Sequence, residues 1–388
     1  MRRFGKFLGR LLLILIILGV VLWVWKREQI TRLMAVNSLF SEELIVDNFS
    51  NMNRMFLTLP MTRGPGPVSP LPQGPDITLP EGADQWIKDR AVTALIVMKN
   101  GQLRHESYYL GTAPEDRRIS WSVAKSFLSA LFGVVLSEGA IASINDPVTK
   151  YAASLKGTAY DTATIQDVLQ MESGITFNED YLDFWSDINK MGRVIALGTS
   201  MDGFTEALTD ADAPPGERMQ YVSIDTHVIG MVIRGATGRR IADLMQEKIL
   251  DPMGFEEDPY YISDGYETAF VLGGLNLRTR DYARFGQMVM QNGMWQGKQV
   301  VPADWLAVST VPSAKTAQGK RNYGYQWWMA PEPREGEFYA RGIYGQYIYF
   351  DRTRGVVIAA NGADRGFREP GAHDSNIAMF RRITEGLE

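Results

Sequence analysis

Ser122-Val123-Ala124-Lys125 is the stretch from which the rest of the chain is best read. Residues three apart in a helix share a face, so a neutral Lys125 would stand beside Ser122 and take its proton during attack on a carbonyl. Spacing alone is weak: with 20 Ser and 12 Lys in 388 residues, chance supplies Ser-x-x-Lys about 0.6 times. Context strengthens it. Val123, Phe127, Leu131 and Val135 recur every four residues, with Ala124, Leu128 and Phe132 beside them, until Gly139. A helix apolar on nearly all faces is buried. Ser122 then lies at a helix N-terminus, where free N–H groups and the helix dipole favour developing negative charge.

Outward from this helix, Thr93–Met98 and Leu103–Leu110 are β-rich runs joined through Lys99-Asn100-Gly101, a strong hairpin signal. From about Asp146 to Pro259 the pattern is helical and loop-rich, as in Ile165–Met171, Asp225–Ala236 and Arg240–Ile249. Strand signals return at Tyr344–Phe350 and Val356–Ala360, with a turn over Asp351–Gly355. The expected fold is α/β (α+β): an antiparallel sheet built from both chain ends and flanked by helices, with an inserted all-α domain. Clefts between such parts are common ligand sites.

The chain can bury a large core. Its net charge is −5, but seven basic residues against Glu28 give the first 32 residues +6, leaving −11 for the rest. A body that acidic repels polyphosphate, so nucleic acid is not an expected partner. Cysteine is absent, which excludes disulfides, thiolate metal sites and a cysteine nucleophile. His105, His227 and His373 are scattered without metal-ligand spacing, so neither a metal nor another cofactor is expected. No Gly-x-Ser-x-Gly elbow and no phosphate loop occurs.

Leu11–Trp25 is an unbroken run of apolar residues and one Gly, between four basic residues and Lys26-Arg27. Extended by Phe7 and Leu8, it reads as a single transmembrane helix contacting the bilayer through residues 7–25. No small-residue cleavage site follows Trp25, so an uncleaved signal anchor is expected. The charge balance places the N-terminus in the cytoplasm and the body in the periplasm of a bacterial inner membrane. Seven prolines between Pro60 and Pro80 predict an extended segment, and Ser41–Phe56 an amphipathic helix before it. The organisation is then an anchor over 1–27, a helix and Pro-rich linker over 28–90, and a body over 91–388. Within the body the sheet part covers about 91–135 and 265–388, and the helical part about 136–264.

Two further elements follow Ser122 in order. Tyr221-Val222-Ser223 comes after Pro214-Pro215-Gly216 and just before an apolar helix. A phenol there can shuttle a proton if a nearby cation lowers its pKa from about 10. Ala340-Arg341-Gly342-Ile343 opens the late strand, with glycines that permit close substrate approach. From about Ala91 to the C-terminus these elements resemble the serine β-lactamase and penicillin-binding-protein superfamily. The likeness is strongest to the class C β-lactamase-like branch that includes esterases and 6-aminohexanoate-dimer (nylon oligomer) hydrolases. Asp146-Pro147-Val148, Leu169 to Gly174, Gly273-Gly274-Leu275-Asn276 and Arg280 to Arg284 carry it as well.

The resemblance implies an acyl-enzyme mechanism with Ser122 as nucleophile, Lys125 as general base and Tyr221 as proton relay. The backbone N–H groups of Ser122 and Ile343 would hold the oxyanion. It also points to Tyr181, Ser223, Asn276, Arg341 and Gly342 as substrate-side residues. Two departures shape the expected activity: Ser223 stands where β-lactamases commonly have Asn, and Ala340-Arg341-Gly342 replaces Lys-Thr-Gly. Both count against β-lactams and for an ester or amide substrate, small or peptide-like, with Arg341 a candidate carboxylate binder. A penicillin-binding, D-alanyl peptidase or β-lactamase activity and a non-catalytic cell-envelope ligand-binding role are the competing readings.

Overall fold

Asn100 and Gly101 both take left-handed backbone angles, φ 49° and 80°, as a type I′ hairpin turn requires and as Asn-Gly between two β-rich runs predicts. The computed structural model describes residues 2–387. In chain order its strands are β1 (Leu57–Pro60), β2 (Val92–Lys99), β3 (Gln102–Tyr108), β4 (Arg117–Ile119), β5 (Tyr260–Ser263), β6 (Leu275–Arg278), β7 (Met294–Trp295), β8 (Lys298–Gln299), β9 (Asn322–Gly324), β10 (Trp327–Met329), β11 (Glu337–Gly342), β12 (Gln346–Asp351) and β13 (Val356–Gly362). Seven form an antiparallel sheet in the order β3-β2-β13-β12-β11-β10-β9, which joins the two ends of the body by pairing Val97 with Ile358. A smaller sheet runs β1-β5-β6-β4, and β7 pairs with β8.

The helices that matter to the site are α1 (Arg2–Trp25), α2 (Arg27–Ser38), α3 (Ile45–Ser50), α4 (Ala124–Ser137), α5 (Asp187–Leu197), α6 (Ile224–Thr237), α7 (Thr279–Met290) and α8 (Ala372–Glu385). α8 covers one face of the large sheet, packing Ile377, Phe380 and Ile383 with Leu95, Val97 and Ile358. On the other face, α4 and α7 pack against Ile96, Met98, Ile348 and Phe350, and the rings of Phe127 and Phe285 stack at 3.6 Å. A fully buried Phe of this kind contributes about 1.5–3 kcal/mol. With both faces covered, β2 reads in the sequence as a continuous apolar run rather than an alternation.

Three expectations are corrected. Ala340-Arg341-Gly342 ends β11 rather than opening β12, because Ile343–Gly345 forms a tight turn in which Tyr344 adopts φ 60°. Helix over Ser41–Phe56 is confined to α3, followed by a 3-10 turn at Met52–Arg54. The Asn51 amide donates to the Asp47 carbonyl at 2.9 Å, occupying the acceptor that a continuing helix would give to the Asn51 backbone N–H. The block between 136 and 264 is helical up to β5, but its Ile165, Ile229 and Leu244 share one core cluster with α4. It does not close a core of its own.

Residues 28–90 also do more than link. Leu39, Ile45, Phe49 and Met52 enter the main core, and β1 pairs with β5 through Leu57 and Ser263. The Pro-rich stretch is without helix, yet it lies on the body: the Pro72 carbonyl accepts from the Leu103 N–H at 2.8 Å. Ahead of it, α1 exposes its apolar side chains, and Lys6–Trp25 is long and apolar enough to cross a bilayer.

Candidate active site

Ser122 sits in a single 3-10 turn, Trp121–Val123, that leads into α4. Trp121 carries φ 41°, a left-handed angle that costs a bulky residue energy and that surrounding packing must hold. One turn on, Lys125 is only 1% exposed; its Nζ donates to the Leu272 carbonyl at 3.1 Å and lies 5.6 Å from the centre of the Tyr221 ring. Burial strips water from the ammonium and brings the Lys125 pKa down to about 7, against the opposing charges of Glu179 and Asp225. The amine can therefore shed its proton and serve as a base near neutral pH.

Tyr221 approaches from the loop before α6 and lines the polar cavity with Ser122. Its pKa is raised, not lowered: burial and the Glu179 charge outweigh the opposing pull of the Ser122 and Ser223 side chains and of Arg341. The expected cation-lowered phenol is thus corrected to one that stays protonated and acts as a donor.

The last residue of β11 closes the site. At Gly342 a Cβ would stand 2.7 Å from the Ser120 carbonyl oxygen and 3.1 Å from the Ser122 nitrogen. With φ −119° the residue is extended, so glycine is required here for space. That close approach brings the Ile343 backbone beside the Ser122 backbone, the placement two oxyanion donors need. On the outer side Phe40, from the N-terminal segment, stacks on Tyr344 at 4.8 Å and meets Trp121 at 5.8 Å.

Two cavities open from Ser122. One, of about 460 Å³, is polar and is lined by Tyr221, Arg321, Arg341, Ile343 and His373 among others. The other, of about 520 Å³, is mostly apolar and runs past Phe40 and Trp121 to α2. Among the described residues, no group of three or more His, Asp or Glu is placed to hold a metal ion.

Residues 83–375 match the family model described as Beta-lactamase. The chain belongs to the beta-lactamase family. It is 29% identical over 291 residues to the 6-aminohexanoate-dimer hydrolase of Paenarthrobacter ureafaciens, covering 71% of this chain and 74% of that protein. A Bacillus anthracis structure provisionally named a 6-aminohexanoate-dimer hydrolase superposes with a TM-score of 0.78 at 24% identity, over 90% of this chain and 96% of the other. The octameric penicillin-binding protein homologue of Pyrococcus abyssi superposes at 0.59 with 18% identity, over 77% and 76% of the two chains. At these identities the two structures speak for the fold.

Within this family fold, Ser122, Tyr181, Tyr221, Arg341, Gly342 and Ile343 line the polar cavity together, with Lys125 beneath them. Ser223 is buried on the wall of the apolar cavity, and both its N–H and its hydroxyl donate to Glu179. Asn276 is not brought to either cavity. It is fully buried on β6, its amide donating back to the Gly274 carbonyl at 2.9 Å.

Three residues at the site escape sequence reasoning. Glu179 accepts from Ser223 and from the Tyr181 hydroxyl at 2.7 Å, and its charge acts on Lys125 and Tyr221. Arg321 faces Arg341, and burial followed by the repulsion of that second guanidinium pulls its pKa down. His373 bridges the hydroxyls of Tyr339 and Tyr347 at 3.0 and 2.9 Å, and burial beside the two arginines keeps it neutral. None of the three stands in a motif or a periodic run that the sequence displays.

Proposed function

We propose that this chain is a membrane-anchored serine hydrolase that cleaves an ester or amide bond through an acyl-enzyme on Ser122. Its α1 helix would hold the catalytic body on the periplasmic side of a bacterial inner membrane. The observation that carries the reading is Lys125: a buried amine one turn from Ser122, brought down to about 7 by burial and 5.6 Å from the ring centre of Tyr221, which shares the cavity wall with that serine. A purely structural lysine has no need of such a place.

In this reading the Ser122 Oγ attacks the carbonyl and its proton passes to neutral Lys125. The backbone N–H groups of Ser122 and Ile343 hold the oxyanion. On collapse the bond to the leaving group breaks. That group takes the Tyr221 hydroxyl proton, which the Lys125 ammonium replaces, and water then releases the acid from Ser122. Arg321 and Arg341 stand together on the wall of the polar cavity, which Glu179, Glu369 and Asp374 also line, and the paired guanidiniums support an anionic group on the leaving side of the substrate. Without Lys-Thr-Gly, the family's β-lactam and D-alanyl peptide chemistry ranks second.

The test uses the full chain in detergent with p-nitrophenyl butyrate. Hydrolysis is expected, with Ser122→Ala lowering it by roughly 10³-fold or more and removing intact-mass labelling by a fluorophosphonate. An unchanged rate in that variant would sink the reading. Stable labelling by fluorescent penicillin would instead promote the penicillin-binding alternative.

A further inference from the structure

The apolar cavity does not end at the catalytic machinery. Ser122 and Ile343 lie at its inner end, and its outer wall is formed by Leu33 and Val36 of α2 with Leu182 and Phe184 of the loop before α5. α2 follows α1 after the single residue Lys26. Leu33 is eight residues beyond Trp25, at most about 12 Å of helix from the last apolar residue of α1. α2 is fixed to the body, since the Arg32 Nε donates to the Ala196 carbonyl of α5 at 2.9 Å.

The rim of the cavity is unusual for a water-facing surface. Leu182, Phe184 and Trp185 are 81%, 58% and 71% exposed, and the Arg193 guanidinium lies 4.4 Å from the centre of the Phe184 ring. Exposed apolar clusters of this kind mark contact surfaces, and Trp with Arg is the pairing found at the membrane interface. On the α1 side, Lys26 and Arg27 stand over the Trp25 and Trp23 rings.

We infer that this groove receives the acyl chain of a bilayer-resident amphiphile, so that the substrate is a fatty acyl ester or amide drawn sideways out of the membrane, with its acyl carbonyl at Ser122. The inference rests on the hydrolase reading above and names its substrate class. The acyl C–O or C–N bond breaks, one water is consumed, and a fatty acid and an alcohol or amine leave. The apolar groove holds the acyl side and the arginine-lined cavity the leaving group, so the two arms sort the halves of an amphiphile across one serine.

Apolar burial predicts roughly a four-fold gain in kcat/KM per added methylene while the groove lasts. With the full chain and p-nitrophenyl esters below their micelle concentrations, octanoate should exceed acetate in kcat/KM by at least ten-fold. Val36→Trp, which fills the groove, should cut the octanoate-to-acetate ratio by at least ten-fold. Leu182→Ser, at an exposed position without folding risk, should slow hydrolysis of octanoyl esters held in phosphatidylcholine and phosphatidylglycerol vesicles relative to soluble acetate. Calorimetric binding of dodecanoate to the Ser122→Ala chain reads the groove without the reaction. Ser122-dependent acetate hydrolysis with a flat or falling chain-length profile, together with no dodecanoate binding, overturns this inference and leaves the hydrolase reading standing. Dodecanoate binding with no Ser122-dependent hydrolysis of any ester overturns the hydrolase reading and the substrate class with it, and leaves the groove as an acyl-chain binding site alone.

Discussion

The polar and apolar cavities share Ser122, Tyr181 and Ile343 but are otherwise built by different parts of the chain. β11 and the approach to α8 wall the polar one, together with Tyr221 and Glu179. The apolar one takes much of its wall from α2, Leu39, Phe40 and Phe56, all of which precede the segment 83–375 that matches the family. The candidate catalytic residues therefore come from the family fold, and one wall of the apolar cavity comes from the extension that carries the apolar N-terminal helix. Variation in such extensions can retune what a fixed catalytic centre accepts without touching its charges.

Variants can break this division or sharpen it. Lys125→Met should hit both sides alike, lowering kcat for every substrate by roughly 10²–10⁴-fold. In the unaltered chain, kcat/KM should climb as pH rises through about 7, where the Lys125 ammonium loses its proton to become the base. That limb should vanish from the pH–rate profile of the variant. Gly342→Ala is next, because its Cβ would press on the Ser120 carbonyl and the Ser122 nitrogen. A displaced oxyanion donor costs about 10²–10³-fold in kcat, for short and long acyl groups equally, and melting curves would show the fold retained.

Arg321→Gln should separate the two sides. The KM for a substrate with a carboxylate on its leaving group should rise about ten-fold, in keeping with a lost charged hydrogen bond, while esters of neutral alcohols change little. Equal effects on both would break the division. The smallest change belongs to Glu179→Gln. Its negative charge favours the Lys125 ammonium, so removing it keeps the lysine neutral to lower pH and moves the limb in the acid direction. A limb moving toward alkaline pH would contradict the assignment of that charge.

Local chemistry made much of the architecture readable. Asn100-Gly101 announces its hairpin because few other pairs tolerate two left-handed residues in sequence. The helix after Ser122 announces its burial by having no polar face, and Tyr221 stands before α6 as its flanking residues indicate. What escaped depends on distance along the chain. Glu179 meets Ser223 across 44 residues, and Arg321, just before β9, meets Arg341 of β11 past the intervening β10, and neither encounter leaves a periodic trace. Asn276 misleads for a related reason: Gly273-Gly274-Leu275-Asn276 resembles a family segment, but side chains on a strand point to alternate faces, and this one points inward, fully buried.

The stacking of Phe40 on Tyr344 also decides where this protein can be cut. Tyr344 belongs to the turn that starts at Ile343, and Phe40 and Phe49 of the N-terminal segment wedge it against Trp121. A soluble form trimmed to begin at Met61 would lose that wedge along with β1, and with it the support of the turn beside the nucleophile. Trimming near Lys26 removes α1 while leaving the wedge in place, so the boundary that keeps this turn supported falls within the roughly thirty-five residues between Lys26 and Met61.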